Sequence, residues 1–142
     1  MHETQQHLVF VESMYIKKYF MISTYPMQPL TSLEQFEELL QHQSDFIIFK
    51  HSTRCCTSER AHQELTTAID SLQLDHVYLV DVLSTGDLKH HIADKLEVAH
   101  HSPQALIVRG GKVLHHADHA SISNGRLHQC LLGRHDTRND IA

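Results

Sequence analysis

The chain has few of the residues that mark several familiar classes of protein. It contains no tryptophan, three prolines, five glycines and three cysteines in 142 residues. Three cysteines, two of them adjacent, cannot build the paired framework of a small disulfide-rich secreted protein, so we expect a reducing cytoplasm. Acidic residues outnumber basic ones by 17 to 12 without a basic cluster, which argues against a nucleic-acid partner.

A hydrophobic run long enough for a membrane helix is also missing. Residues 1–26 are rich in apolar side chains, but lysines interrupt them, and acidic residues stand where a signal peptide carries positive charge. We interpret this segment as an N-terminal extension that is poorly ordered or peripheral, and we expect no membrane partner. The length suits one domain, 27–133, followed by a flexible tail, 134–142.

Histidine is in clear excess, with 15 copies that include three adjacent pairs. No pair shows the spacing of H-E-x-x-H or another zinc motif, so we expect no metal site. The preferred interpretation is surface histidines without a specific role. Their protonation would make the charge of the chain depend strongly on pH between about 5 and 7.

The most informative stretch is an apolar run that leads into two adjacent cysteines. Residues 46–49 are wholly apolar, as in a buried strand, and apolar residues at helical spacing follow over 61–72. Cys55 and Cys56 therefore lie where a strand ends and a helix begins. Free backbone N–H groups and the positive end of the helix dipole favour a thiolate there, with a pKa below the usual value of about 8.5. Arg54 adds a positive charge beside them.

The four residues from Cys55 to Ser58 have the spacing of a C-x-x-C redox motif with serine in the fourth place. This leaves one attacking sulfur without a resolving partner on the same turn. The Ser58 hydroxyl is expected to donate a hydrogen bond to the Cys55 thiolate, with Cys56 a bystander. A buried, inert cysteine pair is the alternative, since free cysteines are often buried. The polar surroundings favour the reactive interpretation.

Helices and strands alternate along the rest of the chain. Helices are predicted at 33–43, after the cysteines to residue 72, at 87–96 and at 123–132, and strands at 46–50, 76–82, 105–108 and 112–115. This order is that of a thioredoxin-like α/β domain, with a central mixed four-stranded sheet flanked by helices.

Two local features fit that fold. Gly110 and Gly111 separate the last two predicted strands and indicate a hairpin. Pro103 opens the third predicted strand, where thioredoxin-like domains commonly have a cis peptide bond that faces the reactive cysteine. A proline that merely starts a strand fits the same residues.

From about Met27 to Leu132 the sequence resembles the monothiol bacilliredoxins of low-GC Gram-positive bacteria. The resemblance is carried by Leu30–Phe36, by Lys50–Cys55 with Ser58, and by Tyr78–Val82, His101–Gln104 and Gly111–Val113. It implies a thiol–disulfide exchange enzyme that removes bacillithiol, a small cysteine-containing thiol, from mixed disulfides of client proteins. Cys56 stands where family members usually carry proline, so a second sulfur lies next to the first.

The resemblance also implies site residues and partners. Catalytic roles would fall to Cys55, Ser58 and Arg54, and substrate binding to Thr53, Ser102, Pro103 and Gln104. Cys56 is a further candidate at the catalytic site only because it departs from the family and places a second sulfur beside Cys55. Bacillithiol would be a co-substrate, with no cofactor bound. Bacillithiolated clients and a bacillithiol disulfide reductase would be the cytoplasmic partners.

Two other functions stay open from the sequence. A monothiol-glutaredoxin-like carrier would share an iron–sulfur cluster, or another metal, between two subunits through the C-x-x-S cysteine. A redox-inactive interaction domain would keep the fold without the chemistry. Absorbance after anaerobic purification would reveal the carrier, and a Cys55 that fails to react with a thiol reagent at pH 6 would indicate the inactive domain.

Overall fold

The computed structural model describes residues 27–132, in which helices and strands follow the predicted order with two short additions. The strands are β1 Gln28–Pro29, β2 Asp45–His51, β3 Val77–Asp81, β4 Gln104–Arg109 and β5 Lys112–Asp118. The helices are α1 Leu33–His42, α2 Cys56–Leu72, α3 Leu88–Leu96 and α4 Asn124–Leu131, with a 3₁₀ turn at His119–Ser121.

The five strands form one mixed sheet in the order β1-β3-β2-β4-β5. The strands β1, β3 and β2 are parallel, whereas β4 is antiparallel to both β2 and β5. The prediction of a four-stranded sheet is therefore wrong by one strand, because β1 adds a short edge beside β3. Two residues, one of them proline, carry no strand pattern that a sequence could reveal.

The central strand β2 divides the apolar interior into two clusters. Successive side chains of a strand point to opposite faces of its sheet. Ile47 and Phe49 accordingly pack with residues of α2 and α4, whereas Phe46 and Ile48 pack with residues of α1 and α3. Every residue from Phe46 to Lys50 is buried. The apolar run thus forms the middle of the domain.

The hairpin between β4 and β5 confirms the prediction from its two glycines. Gly110 and Gly111 have φ angles of 60° and 78°, a left-handed conformation that glycine adopts without steric cost. Strand β5 is longer than predicted, because its ladder with β4 continues to the pair Gln104 and Asp118.

This arrangement places the cysteines at the edge of the sheet where the parallel strands end. Strand β2 ends at His51, β3 ends beside it at Asp81, and α2 begins at Cys56. Helices of residues 27–132 are all too short or too polar to cross a membrane. The extension 1–26 and the tail 134–142 lie outside the described residues, so the predictions for them stay predictions.

Candidate active site

Cys55 is the N-cap residue of α2 and is half-buried. Its backbone is extended, with φ −120° and ψ 122°, as is usual for an N-cap residue. The Cys55 carbonyl accepts hydrogen bonds from the backbone N–H groups of Ser58 and Glu59, both at 3.1 Å. Its own N–H donates to the Ser52 carbonyl at 3.2 Å. The predicted position of Cys55 at a strand-to-helix junction is confirmed.

The pKa of the Cys55 thiol lies below that of an ordinary thiol. The backbone N–H of Ser58 is the largest cause, and the N–H and hydroxyl of Thr57 add to the lowering, while desolvation of the sulfur opposes it. The Cys55 side chain forms no full capping hydrogen bond, so the stabilisation comes from dipoles that face the sulfur. A larger fraction of thiolate, the nucleophilic form, follows at neutral pH.

The Ser58 hydroxyl is used differently from the prediction. Ser58 is completely buried, and its Oγ accepts a hydrogen bond from the Ser52 N–H at 2.9 Å. The same oxygen lies 3.0 Å from His51 Nδ1. These partners take the place of the expected hydrogen bond from the hydroxyl to the Cys55 thiolate. Ser58 supports the thiolate through its backbone N–H, and its side chain ties the loop to the end of β2.

The other residues around the cysteines are open to solvent. Cys56 is the first residue of α2 and is exposed, and so are Thr53 and Arg54 in the preceding loop. Cys55, with its neighbours accessible, can therefore be reached by a large partner such as a protein disulfide.

The turn that opens β4 contains the predicted cis peptide bond, between Ser102 and Pro103. Pro103 is buried, and its carbonyl accepts a hydrogen bond from the His119 N–H at 3.0 Å. The buried Ser102 Oγ has no hydrogen-bond partner in the described part of the chain. The assignment of these residues to substrate binding stays a prediction.

Gln104 is also completely buried, so its predicted contact with substrate would have to come from the backbone. Its Nε2 donates to the Ala99 carbonyl at 3.0 Å and to Asp118 Oδ1 at 2.8 Å. The side chain therefore joins the start of β4 to the end of β5.

A family model described as monothiol bacilliredoxin BrxC matches residues 28–127. The chain belongs to the monothiol bacilliredoxin family. The predicted family and the thioredoxin-like fold are thereby confirmed. Family membership and fold together support a thiol–disulfide oxidoreductase.

Solved structures show the same fold. A protein assigned as an oxidoreductase with a thioredoxin fold is 28% identical, with a TM-score of 0.69, over 74% of this chain and 93% of that one. Thioredoxin from Trypanosoma brucei brucei is 22% identical, with a TM-score of 0.62, over 80% and 96% of the two chains. Oxidised mitochondrial thioredoxin 3 from Saccharomyces cerevisiae is 20% identical, with a TM-score of 0.59, over 75% and 94%.

His51 is a site residue of this bacilliredoxin that sequence reasoning missed. Its ring lies 5.2 Å from that of His62, and its Nδ1 contacts the Ser58 hydroxyl. Burial lowers the His51 pKa, and the nearby His62 lowers it further. A neutral imidazole is therefore favoured beside Ser58. The only sequence signal was the place of His51 in the stretch Lys50–Cys55, which carries part of the family resemblance.

A second missed feature is a buried polar group that we call the Lys50 cluster, formed by Lys50, His100, Gln104 and Asp118. The Lys50 Nζ lies 3.2 Å from His100 Nδ1, although the lysine is 0% exposed. Burial lowers the pKa of Lys50 to about 8, while the Asp118 carboxylate opposes the shift. Burial, and next the Lys50 charge, lower the pKa of His100 to about 4. The only sequence signal was a lysine directly after an apolar run.

Cys130 lies away from these groups. It is half-buried on α4 beside the apolar cluster under α2, and burial raises its pKa. Cys130 is thus a packing residue. Within residues 27–132 the structure places no group of three or more histidine, cysteine or acidic side chains where they could hold a metal ion.

We predict that Ser58→Ala lowers stability more than it changes the acidity of Cys55. The substitution removes the partner of the Ser52 N–H and of His51, which should cost about 1–3 kcal/mol of unfolding free energy. The residue 58 backbone N–H stays, so the Cys55 pKa should shift by less than about half a unit. Urea unfolding and the pH profile of Cys55 alkylation measure the two effects.

The matched control for this prediction is Thr67→Ala, on an exposed residue of the same helix whose hydroxyl donates to the Gln63 carbonyl of that helix. It should leave both the stability and the alkylation profile near those of the unchanged protein. An increase of a full unit or more in the Cys55 pKa of Ser58→Ala would show that the hydroxyl serves the thiolate after all.

Proposed function

We propose that this bacilliredoxin removes bacillithiol from mixed disulfides of cytoplasmic proteins, with Cys55 as the attacking sulfur. The observation that carries the proposal is the position of Cys55, a half-buried N-cap thiol whose pKa is lowered by the first turn of α2. Serine occupies the fourth position of the motif, so the thiol that resolves an adduct in a C-x-x-C site is replaced by a hydroxyl. A single attacking sulfur suits a small-thiol adduct that another molecule resolves.

The proposed reaction is two thiol–disulfide exchanges. The Cys55 thiolate attacks the bacillithiol sulfur of the mixed disulfide, and the client thiolate leaves and takes a proton from solvent. A disulfide between Cys55 and bacillithiol has then formed. A second bacillithiol thiolate attacks the adduct, releasing the Cys55 thiolate and bacillithiol disulfide. A bacillithiol disulfide reductase would supply the two electrons that return this disulfide to free thiols.

The surroundings of Cys55 support each of these exchanges. The N–H groups that stabilise its thiolate before the attack also make it a good leaving group when the adduct is resolved, because a less basic thiolate leaves faster. The exposed Arg54 adds positive charge beside an anionic reaction centre. The turn at Pro103 would hold the backbone of the substrate opposite Cys55.

Cys56 is proposed to be a bystander. A disulfide between adjacent residues closes a strained eight-membered ring, and Cys56 is fixed in the first turn of α2. Its sulfur is exposed, so it can meet reagents independently of Cys55.

The test is incubation of the protein with a bacillithiolated client, followed by intact mass spectrometry of both products. We expect the client to lose the mass of bacillithiol and Cys55 to gain it. A client that keeps its adduct while Cys55 is fully reduced would contradict the proposal. A visible absorbance band in anaerobically purified protein would instead favour the iron–sulfur carrier.

A further inference from the structure

A pocket of about 310 Å³ lies beside the first turn of α2. Its lining comes from α2 and from the segment around the 3₁₀ turn, and consists of Cys56, Thr57, Arg60, Ala61, His119, Ala120 and Ile122. The residue before Cys56 is the reactive cysteine. A small molecule attached to Cys55 would therefore lie beside the wall of the pocket that Cys56 and Thr57 form.

The pocket has an apolar floor and a polar rim. Ala61 and Ile122 are buried, with 2% and 3% of their surfaces exposed, whereas Thr57, Arg60 and His119 are exposed. Sites for small molecules typically combine a largely apolar lining with a few polar groups that set orientation. The composition of this lining therefore suits a small ligand with one polar end.

The charge of the rim indicates the sign of that polar end. None of the seven lining residues is acidic, although acidic residues outnumber basic ones in the chain. Arg60 has no ion pair or hydrogen bond to any other residue in 27–132 through its side chain. Three acidic residues lie near this rim in the chain: Glu59, Glu64 and Asp118. Asp118 is engaged by Gln104 at 2.8 Å and His116 at 3.5 Å, Glu64 accepts from the Asn124 N–H at 2.9 Å, and none of the three forms an ion pair with Arg60. The guanidinium is thus available to an anion.

The far wall of the pocket is fixed to the active site. His119 has a φ of 52°, an uncommon conformation for a residue other than glycine, and its N–H donates to the Pro103 carbonyl. On the near wall, Arg60 follows Cys56 by four residues, which places the two on the same face of α2. Arg60, His119 and the reactive turn are therefore parts of one surface.

We propose that this pocket binds a carboxylate of the small thiol whose sulfur exchanges with Cys55. The Arg60 guanidinium donates to the carboxylate, His119 lies across from it, and the buried floor contacts the ligand's carbon skeleton. The chemical class of preferred substrate is a small thiol that carries a carboxylate. This inference rests on the proposed exchange at Cys55 and adds the residue that selects the substrate.

The test compares three small disulfides that differ in charge: dithiodipropionate, hydroxyethyl disulfide and cystamine, which are anionic, neutral and cationic. The rate at which each forms an adduct on Cys55 is measured by peptide mapping, for the unchanged protein, Arg60→Gln and Arg60→Glu. Intrinsic differences among the disulfides cancel when each variant is compared with the unchanged protein on the same disulfide. The matched control is Arg109→Glu, which makes the same charge change at the far end of the sheet.

We expect Arg60→Glu to slow the reaction with dithiodipropionate about tenfold, the effect of losing one charge-assisted hydrogen bond. Its rate with hydroxyethyl disulfide should stay within about twofold, and its rate with cystamine should rise. The rates of Arg60→Gln should lie between those of Arg60→Glu and those of the unchanged protein. Arg109→Glu should leave the rates with all three disulfides unchanged. Equal slowing with all three disulfides, or the same charge pattern in Arg109→Glu, would overturn the inference.

The bacillithiolated client separates this inference from the proposed function. Charge selection that depends on Arg60, in a protein that leaves the client modified, would support the pocket and contradict debacillithiolation. Removal of bacillithiol by a protein whose Arg60 variants keep the same preference among the three disulfides would support the function and overturn the pocket.

Discussion

Cys55→Ser is expected to abolish transfer of bacillithiol from a client protein, whereas Cys56→Ser should retain most of it. Both residues lie at the start of α2, so the helix dipole alone does not choose between them. Cys55 is the N-cap residue, and its thiol pKa is lowered by the N–H groups that follow it. A hydroxyl group at pH 7 is un-ionised and a far weaker nucleophile than a thiolate, so the loss should exceed about a hundredfold.

The measurement is the mass of client and variant after incubation, with rates taken from the loss of the client adduct. Cys56→Pro is a second control, because proline is well suited to the first position of a helix. If Cys55→Ser gains the adduct and Cys56→Ser does not, the reactive sulfur is one residue later than we propose. Cys130→Ser tests the remaining thiol and should leave the transfer unchanged.

Lys50→Met should stabilise the protein at neutral pH by about 1–3 kcal/mol, because replacing a buried charge by an apolar side chain of similar length removes a desolvation cost. The Lys50 side chain is 0% exposed, and its nearest polar partner is the His100 ring rather than a carboxylate. The attraction of the Asp118 carboxylate for the Lys50 charge offsets part of this desolvation cost at longer range. Urea unfolding at pH 7 measures the difference.

The pH dependence of that difference identifies its cause. The pKa of Lys50 is lowered to about 8 in the folded protein, from 10.5. Between these values the unfolded chain binds more protons than the folded one, so the stability of the unchanged protein should rise with pH. The advantage of Lys50→Met should be full below pH 8 and shrink as the pH approaches 10.5.

Lys112→Met is the matched control, since Lys112 is exposed on β5. It should change stability by less than about half a kcal/mol at any pH in this range. A Lys50→Met variant that is less stable than the unchanged protein by several kcal/mol would show that the charge of Lys50 holds the cluster together.

Much of the fold could be predicted from the sequence because the main helices and strands have a clear pattern of apolar residues. The run 46–49 and the helix after it are of this kind, and they locate the reactive cysteine. The 3₁₀ turn at His119–Ser121 and the strand β1 are not, because each holds only two or three residues and is stabilised by pairing with distant parts of the chain.

The site was accessible only in part for a related reason. Cys55 and the cis bond at Pro103 belong to local motifs. The partners of the Ser58 hydroxyl and the pocket that His119 and Arg60 share depend on how β2, α2 and β5 meet, and nothing in the local sequence reports them. The spacing of the motif predicts a hydrogen bond from the Ser58 hydroxyl to Cys55, whereas in the fold the buried hydroxyl contacts Ser52 and His51 at the end of β2.

The central position of β2 has a consequence for the timescale on which the reactive sulfur moves. This strand is hydrogen-bonded to β3 and β4 along its two edges, and helices cover both of its faces. Its amide protons can meet solvent only when the whole sheet opens, so they should be among the slowest in the domain to exchange with deuterium. Cys55 comes four residues after the end of β2. The strand that precedes the reactive sulfur is therefore expected to be the last part of the sheet to unfold locally.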